Sequence, residues 1–284
     1  MSKKIAIISD SSAGLTEEML SEYNIYTSYL MVIFGNDSYQ EFKELTPDKF
    51  SQLSATQDEL PTTSQPAPGL TIELYEDLIG EGYEKIIHIT ISSGLSGSYQ
   101  SAMNAAEIVD AEKIHVFDSK SVSFAQGALA IAASRMAKAG KHVAEIIAEL
   151  ENMQKTMYAS ATVKSLENLK KGGRLSNASA VIGSMLQIKP VVVMSPEGKL
   201  EAVSKVRTFK KAMQALIEAA KAADLDETYE IAVVHALNIE DATTVKNAIS
   251  EFYPNITIHL LPLSLVIVAH IGEGSVALAW AKIA

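Results

Sequence analysis

The run Lys85-Ile86-Ile87-His88-Ile89-Thr90-Ile91-Ser92-Ser93-Gly94-Leu95-Ser96-Gly97 decides the fold. Its first part is short, apolar and rich in isoleucine, and it stops abruptly at serine and glycine. A strand covered on both faces reads this way, as a continuous apolar run rather than an alternation. Two further runs share the form: Ile5–Ile8 ends in Ser9-Asp10-Ser11-Ser12, and Ile114–Phe117 ends in Asp118-Ser119. Helical sequence follows each of the three: from Thr16, from Ser96 or Gly97, and from Ala125 to Lys138. Short apolar strands separated by helices indicate a parallel sheet with helices on both faces.

Working outward, Tyr29–Phe34 and Tyr39–Phe42 flank Gly35-Asn36-Asp37-Ser38, the pattern of a hairpin. A helix is expected near Thr46–Leu53, with Pro47 in its first turn. Leu60–Pro68 holds three prolines and reads as an irregular loop. Val143, Ile146, Ile147, Leu150, Met153 and Met157 repeat at helical spacing and lead to a domain boundary near residue 158. The second half opens with a helix stopped by Lys170-Lys171-Gly172-Gly173, and another is expected around Ala178–Leu186. Lys189–Met194 and Leu200–Val206 pair across the turn Pro196-Glu197-Gly198-Lys199. A helix from Phe209, a strand Glu230–Val234, a helix Asp241–Phe252 and a strand Ile256–Leu261 follow, with His270 read as lying directly before a last helix. The chain is therefore expected to be α/β with two domains: 1–158 around a parallel sheet with flanking helices, and 159–284 around a mixed or antiparallel sheet with helices.

Composition narrows the function. The chain has 284 residues, 24 basic and 34 acidic side chains and a formal charge of -10. Nucleic-acid binding needs clustered Lys and Arg to neutralise phosphate, so it is not expected. With no cysteine, disulfides, thiolate catalysis and Cys-ligated zinc are excluded. The six histidines show no metal-binding spacing, so no metal is expected. The N-terminus reaches a strand within four residues and shows no signal peptide. The longest uncharged stretch, 252–272, carries Pro254, Asn255, Pro262 and His270 and is a poor membrane span. A cytoplasmic protein without stable membrane insertion is expected.

The three serine-terminated strands carry the chemistry. Ligands of open α/β sheets bind beyond the carboxyl ends of the strands, where helix N-termini attract anions and hydroxyls can donate without adding charge. Helix capping is the better account of any single one of these loops, and it is three of them on one sheet edge, with Thr62-Thr63-Ser64 alongside, that point to binding. The glycine loop lacks the lysine of a P-loop and the spacing of a dinucleotide fingerprint, and the nucleophile elbow of hydrolases is absent. Two other readings stay open on residues alone: a serine hydrolase using Ser93 and His270, and a small-anion or nucleotide sensor. Arg174, after Gly172-Gly173, and Arg207, after Val203–Val206, are surface charges or sites for phosphate or partner recognition.

Six strings, in order, carry a resemblance: Asp10–Leu15, Thr63-Ser64-Gln65-Pro66, Ser92–Ala102, Leu169–Ser176, Lys189-Pro190 and His270-Ile271-Gly272. Together they resemble the DegV family over nearly the whole chain. The resemblance implies a two-domain DegV-like fold with a long-chain fatty acid held between the domains and no other cofactor. It further implies a non-catalytic, lipid-binding subunit of a bacterial fatty acid kinase, whose ATP-dependent partner phosphorylates the carboxylate to an acyl phosphate. Thr63 and Ser93 would hold the carboxylate, with His270, Thr62 and Ser96 nearby. Arg207, and less directly Arg174, would face the kinase. This chain departs from the family pattern at Glu273, where a proline is usual, and within 39–45, which lacks an acidic-glycine pair.

Overall fold

The structure is a computed structural model describing residues 3–57, 59–176 and 189–283. The first sheet holds four parallel strands, β1 (Lys3–Asp10), β2 (Ile25–Ser28), β6 (Tyr83–Thr90) and β7 (Ile114–Asp118), in the order β2-β1-β6-β7. Ala6, Ile8 and Ile86 pack with Tyr75 and Leu78 of α3 (Pro68–Gly80) and Ala105 and Ala106 of α4 (Ser98–Val109). Ile7, Ile87 and Ile89 belong instead to the core containing Ala125, Ala128 and Leu129 of α5 (Phe124–Lys138). Neighbouring residues thus serve opposite cores, which is why isoleucines occupy both faces; His88, within β6, is buried and bonded to the Tyr75 hydroxyl at 2.6 Å.

A small antiparallel sheet follows, in the order β4-β3-β5, from β3 (Met31–Phe34), β4 (Asp37–Gln40) and β5 (Thr62–Ser64). Gly35, at φ 58°, turns the hairpin between β3 and β4. The helices α1 (Glu17–Tyr23) and α2 (Pro47–Thr56) are capped by Thr16 and Thr46, which accept from the backbone N–H groups of Met19 and Lys49. β5 corrects the expectation of an irregular loop over Leu60–Pro68. Pro61 and Pro66 bracket a stretch whose own N–H groups are intact, so Thr62-Thr63-Ser64 can pair with β3 as an edge strand. Pro68, lacking an N–H that a helix start would leave unused, opens α3.

After α6 (Val143–Gln154) and from Tyr158 onward, the strands among the described residues join one six-stranded sheet, ordered β10-β9-β8-β13-β11-β12. Its members are β8 (Tyr158–Thr162), β9 (Lys189–Met194), β10 (Leu200–Val206), β11 (Tyr229–His235), β12 (Thr257–Pro262) and β13 (Val276–Lys282). Only the β11–β12 pair is parallel, so the sheet is mixed, and the whole is the α/β architecture expected. Four helices accompany it among the described residues: α7 (Glu167–Lys171), α8 (Phe209–Lys221), α9 (Ile239–Phe252) and α10 (Leu265–Ile271). The helix expected around Ala178–Leu186 lies outside the described residues. His270 sits in the last turn of α10 rather than before a helix, and the sequence after it is strand β13. Alanine at 277, 279 and 281 suggests helix by propensity, but these residues alternate with Val276, Leu278 and Trp280, the period of a strand.

That alternation shapes the space between the sheets. Val276, Leu278 and Trp280 pack with Leu216 and Ile217 of α8 and Val245 and Ile249 of α9. The opposite face presents small residues, Ala159 and Ala161 on β8 directly beside Ala279 and Ala277 on β13. Leucines there would meet the first half of the chain; alanines leave room.

Candidate functional site

The room left by the alanines is an apolar cavity of about 410 Å³. Ala159, Ala161, Ala277 and Ala279 line one side, with Val192, Met194 and Val234 from the same sheet face. Leu30, Ile91, Leu95 and Val122 come from the first half of the chain, and Leu263, Val266 and Ile267 from α10 and its approach. Among the lining residues Arg174 alone carries a fixed charge. It joins Thr63, Ser96 and His270 in a polar wall, and Ser64, Gln65, Ser123 and Ser160 add further polar groups to a largely apolar lining. Its volume falls within the range of ~300–1,000 Å³ usual for small-molecule sites.

Each part of the polar wall is held by backbone. Thr63, on edge strand β5, meets His270 of α10, with Oγ1 2.7 Å from Nε2. Burial, and secondly the charge of Arg174, lower the His270 pKa to about 4, so the ring is neutral at pH 7. Arg174 Nε donates to the Leu95 carbonyl at 3.2 Å and Nη1 donates to the Gly172 carbonyl. Gly172 is required by close approach, since a Cβ there would stand 2.7 Å from Nδ1 of His270. Gly173 then turns the chain toward Arg174 at φ 71°, where other residues are strained. Ser96 accepts from the Ser98 N–H at 3.2 Å and pairs with the Ser98 hydroxyl, at the entry to α4.

The expected residues separate into two groups. Thr63, Ser96 and His270 meet at the cavity, and Arg174, expected at the partner's edge, joins them in its wall. Ser93 does not line the cavity: it is exposed, and its N–H and hydroxyl bind Asp118 at 3.0 and 2.5 Å. The reason is local, because Asp118 ends the adjacent strand β7 and gathers the turn, accepting also from the Lys120 N–H. With Ser93 bonded to Asp118 and His270 to Thr63, the serine–histidine pair that the alternative hydrolase reading requires does not form. Thr62 is exposed and lines an outer depression next to Thr63. Arg207 is exposed just beyond β10, away from the cavity lining. Glu273 is exposed and accepts from Ser51 of α2 at 3.2 Å, so it leaves the polar wall free of a second carboxylate.

The first serine loop has an internal role instead of a binding one. Asp10 is buried and accepts from the Ile91 N–H at 2.7 Å, from Gln126 Nε2 at 2.8 Å and from the Ser12 hydroxyl. Burial raises its pKa. Ser11 accepts from the Leu30 N–H at 3.0 Å and donates to Glu41. Glu41, which the sequence reading passed over, is wholly buried and also accepts from the Ser264 hydroxyl at 2.9 Å and the Val266 N–H at 3.1 Å. It ties the end of β1 and the segment after β4 to the start of α10, the helix that carries His270. The alanines of β8 and β13 were likewise passed over, and their alternation was the available signal. No group of three or more His, Asp or Glu side chains poised for a metal occurs among the described residues, and no helix there is long and apolar enough to cross a membrane.

A family model described as the uncharacterised DegV family matches residues 4–282. The chain belongs to the DegV family. Protein DegV of Bacillus subtilis is 37% identical over 283 residues, covering 97% of this chain and 98% of that protein. A DegV domain-containing protein of Listeria innocua is 36% identical over 281 residues, covering 99% of both. Among solved structures, a fatty acid binding DegV family protein from Streptococcus agalactiae matches with TM-score 0.90 and 32% identity, over 98% of this chain and 99% of that one. The structure of DegV from Bacillus subtilis, described as a fatty acid binding protein, matches with TM-score 0.88 and 36% identity, over 99% and 100% of the two chains. In this DegV-family chain, the motifs carried by β5, the loop after β6, α7 with its following glycines, and α10 all contribute to the cavity lining.

Proposed function

We propose that this protein is a carrier that holds one long-chain fatty acid and presents its carboxylate to an ATP-dependent kinase subunit for acyl phosphate formation. The observation that supports the reading best is the cavity itself: lined mostly by apolar side chains, with Arg174 as the only fixed charge among the described residues that line it. An acyl chain of about 16 methylenes, at ~0.8 kcal/mol each, supplies on the order of 10 kcal/mol on burial. Affinity then comes from the tail, and the head group needs only to be oriented. On this reading residues 1–158 bring the hydroxyl-bearing loops and residues 159–284 complete the pocket; the carrier itself is not catalytic and needs no cofactor beyond the lipid.

The carboxylate is assigned to Thr63, Ser96 and Arg174. Thr63 has one hydroxyl proton, so for it to donate to the ligand, neutral His270 must donate from Nε2 to Thr63 Oγ1. Two of the five Arg174 donors are already bound to carbonyl oxygens, which fixes the guanidinium and withholds its Nε edge from the carboxylate. Its charge steadies the anion while leaving an oxygen open for phosphoryl transfer.

Mass spectrometry of the purified protein after denaturation tests the reading. A stoichiometric fatty acid is expected, and a protein that is empty and takes up none would overturn it. Thr63→Val and Ser96→Ala are each expected to weaken loading ~10-fold, the scale of one hydrogen bond to a charged group. Ser93→Ala is expected to leave loading within twofold, as measured by displacement of a fluorescent fatty acid. Arg207, exposed and outside the cavity, is assigned to the partner edge: Arg207→Ala is expected to load normally and to lose most acyl phosphate formation in a coupled assay with the kinase.

A further inference from the structure

A second depression, about 430 Å³, lies against the same polar wall, and Thr63, Arg174 and His270 line both spaces. Its remaining lining mixes Leu60, Pro61 and Ala269 with the polar groups of Thr62, Asn168, Lys171 and Glu59, the last two charged. Three side chains therefore separate the inner chamber from an outer one that carries a second cation.

We propose that this outer depression is a phosphoryl pocket, which holds the phosphate of an acyl phosphate while its acyl chain stays in the inner cavity. The inference rests on the carrier reading above. In the transfer, a carboxylate oxygen bonds to the γ-phosphorus of ATP, the bond from that phosphorus to the bridging oxygen breaks, and ADP leaves with the electron pair; no proton is needed. The product carries a dianionic phosphate where a monoanionic carboxylate stood. A dianion cannot enter a chamber lined by alanine and valine without a large desolvation penalty. It must project outward across the shared wall, into the space next to Lys171 and Arg174.

The residues there suit a phosphate that arrives and later departs. Lys171 Nζ is paired at 2.8 Å with Glu167, both side chains 63% exposed, a surface ion pair of little energy that a phosphate can displace. Arg174 is fixed by its two carbonyl contacts, and its Nη2 has no acceptor among the described residues. Glu59 lines the same depression, and its like charge limits how tightly a dianion is held. The motif Lys170-Lys171-Gly172-Gly173-Arg174 thereby gains a role: Gly172 packs against His270, Gly173 turns the chain, and Lys171 and Arg174 face the new anion.

The test compares stearate with a hydrolysis-resistant long-chain acylphosphonate on the full-length protein, by competition with a fluorescent fatty acid. Lys171→Ala is expected to weaken the phosphonate ~10-fold, the loss of one charge-assisted contact, while stearate changes less than twofold. Lys171→Arg should retain phosphonate binding, and Glu59→Gln should tighten it ~3-fold by removing a like charge. Equal effects on both ligands, or none on either, would overturn the pocket and leave the carrier reading standing. Failure of stearate to bind the wild-type protein would overturn both.

Discussion

Replacing Ala277 with phenylalanine is expected to abolish loading with long acyl chains while leaving the fold intact. Ala277 lines the cavity on β13, opposite Ala161 of β8. A phenyl group built there enters space that a ligand would occupy, displacing roughly five methylenes at ~0.8 kcal/mol each, a total of about 4 kcal/mol. Such a loss corresponds to a ~1,000-fold rise in Kd for an 18-carbon acid. Short acids that never reach Ala277 should bind nearly as before, so a series of chain lengths reports the position of the block. If all chain lengths weakened together, the substitution would have damaged the wall rather than filled the chamber. The thermal midpoint should hold or rise, because an overpacked core is destabilised whereas a filled cavity is not.

The second large effect is expected at Glu41, which lies far from the polar wall in sequence yet governs the helix that carries His270. Removing its carboxylate in Glu41→Ala strands the Val266 N–H and leaves the Ser11 and Ser264 hydroxyls without their acceptor. At ~1–3 kcal/mol for a buried donor left unpaired, with a cavity added, the cost is roughly 2–4 kcal/mol. For a chain of this size that lowers Tm by about 5–10 °C. The titration of Glu41 sets a pH signature. Burial, opposed by those three donors, raises its pKa from 4.5 to about 7. Between these values the folded state keeps a proton that the unfolded state has released, so stability falls as pH rises through this window. The swing is about 3 kcal/mol, and Glu41→Gln should flatten it. Denaturant midpoints at pH 5 and pH 7.5 measure this; a wild-type midpoint whose pH dependence survives in the Gln variant would exclude Glu41 as its source.

Much of the fold was legible because backbone geometry prints itself on residue pattern. Ile5–Ile8, Lys85–Ile91 and Ile114–Phe117 read as buried parallel strands since both their faces are covered, and the structure places all three in one sheet. The Pro-rich stretch misled because proline was weighed as a breaker of the whole segment, whereas it removes only its own N–H, and Thr62–Ser64 pairs between the prolines. β13 does not follow from propensity, since its alanines favour helix, and only the alternation Val276-Ala277-Leu278-Ala279-Trp280 marks the strand. The candidate site was legible as a set of motifs, and Thr63, Ser96 and His270 do meet at one wall. Choosing between Ser93 and Ser96 was beyond the reach of spacing: both are serines of one loop, and only the neighbouring strand end, with Asp118, takes Ser93 out of the cavity.

By itself, the sequence determined the α/β class, the serine-rich ends of the parallel strands and the membership in the DegV family, since these depend on local periodicity and on the order of motifs. Tertiary structure alone decided which hydroxyls face the cavity, that Arg174 belongs to its wall, and that Glu41 anchors α10. Each of those depends on a contact between residues far apart in the chain: Arg174 with Leu95, Thr63 with His270, Glu41 with Ser264. The cavity has the same origin, because an alanine states only that it is small. Four of them make a chamber only when two strands set them side by side and a second sheet stands across from them.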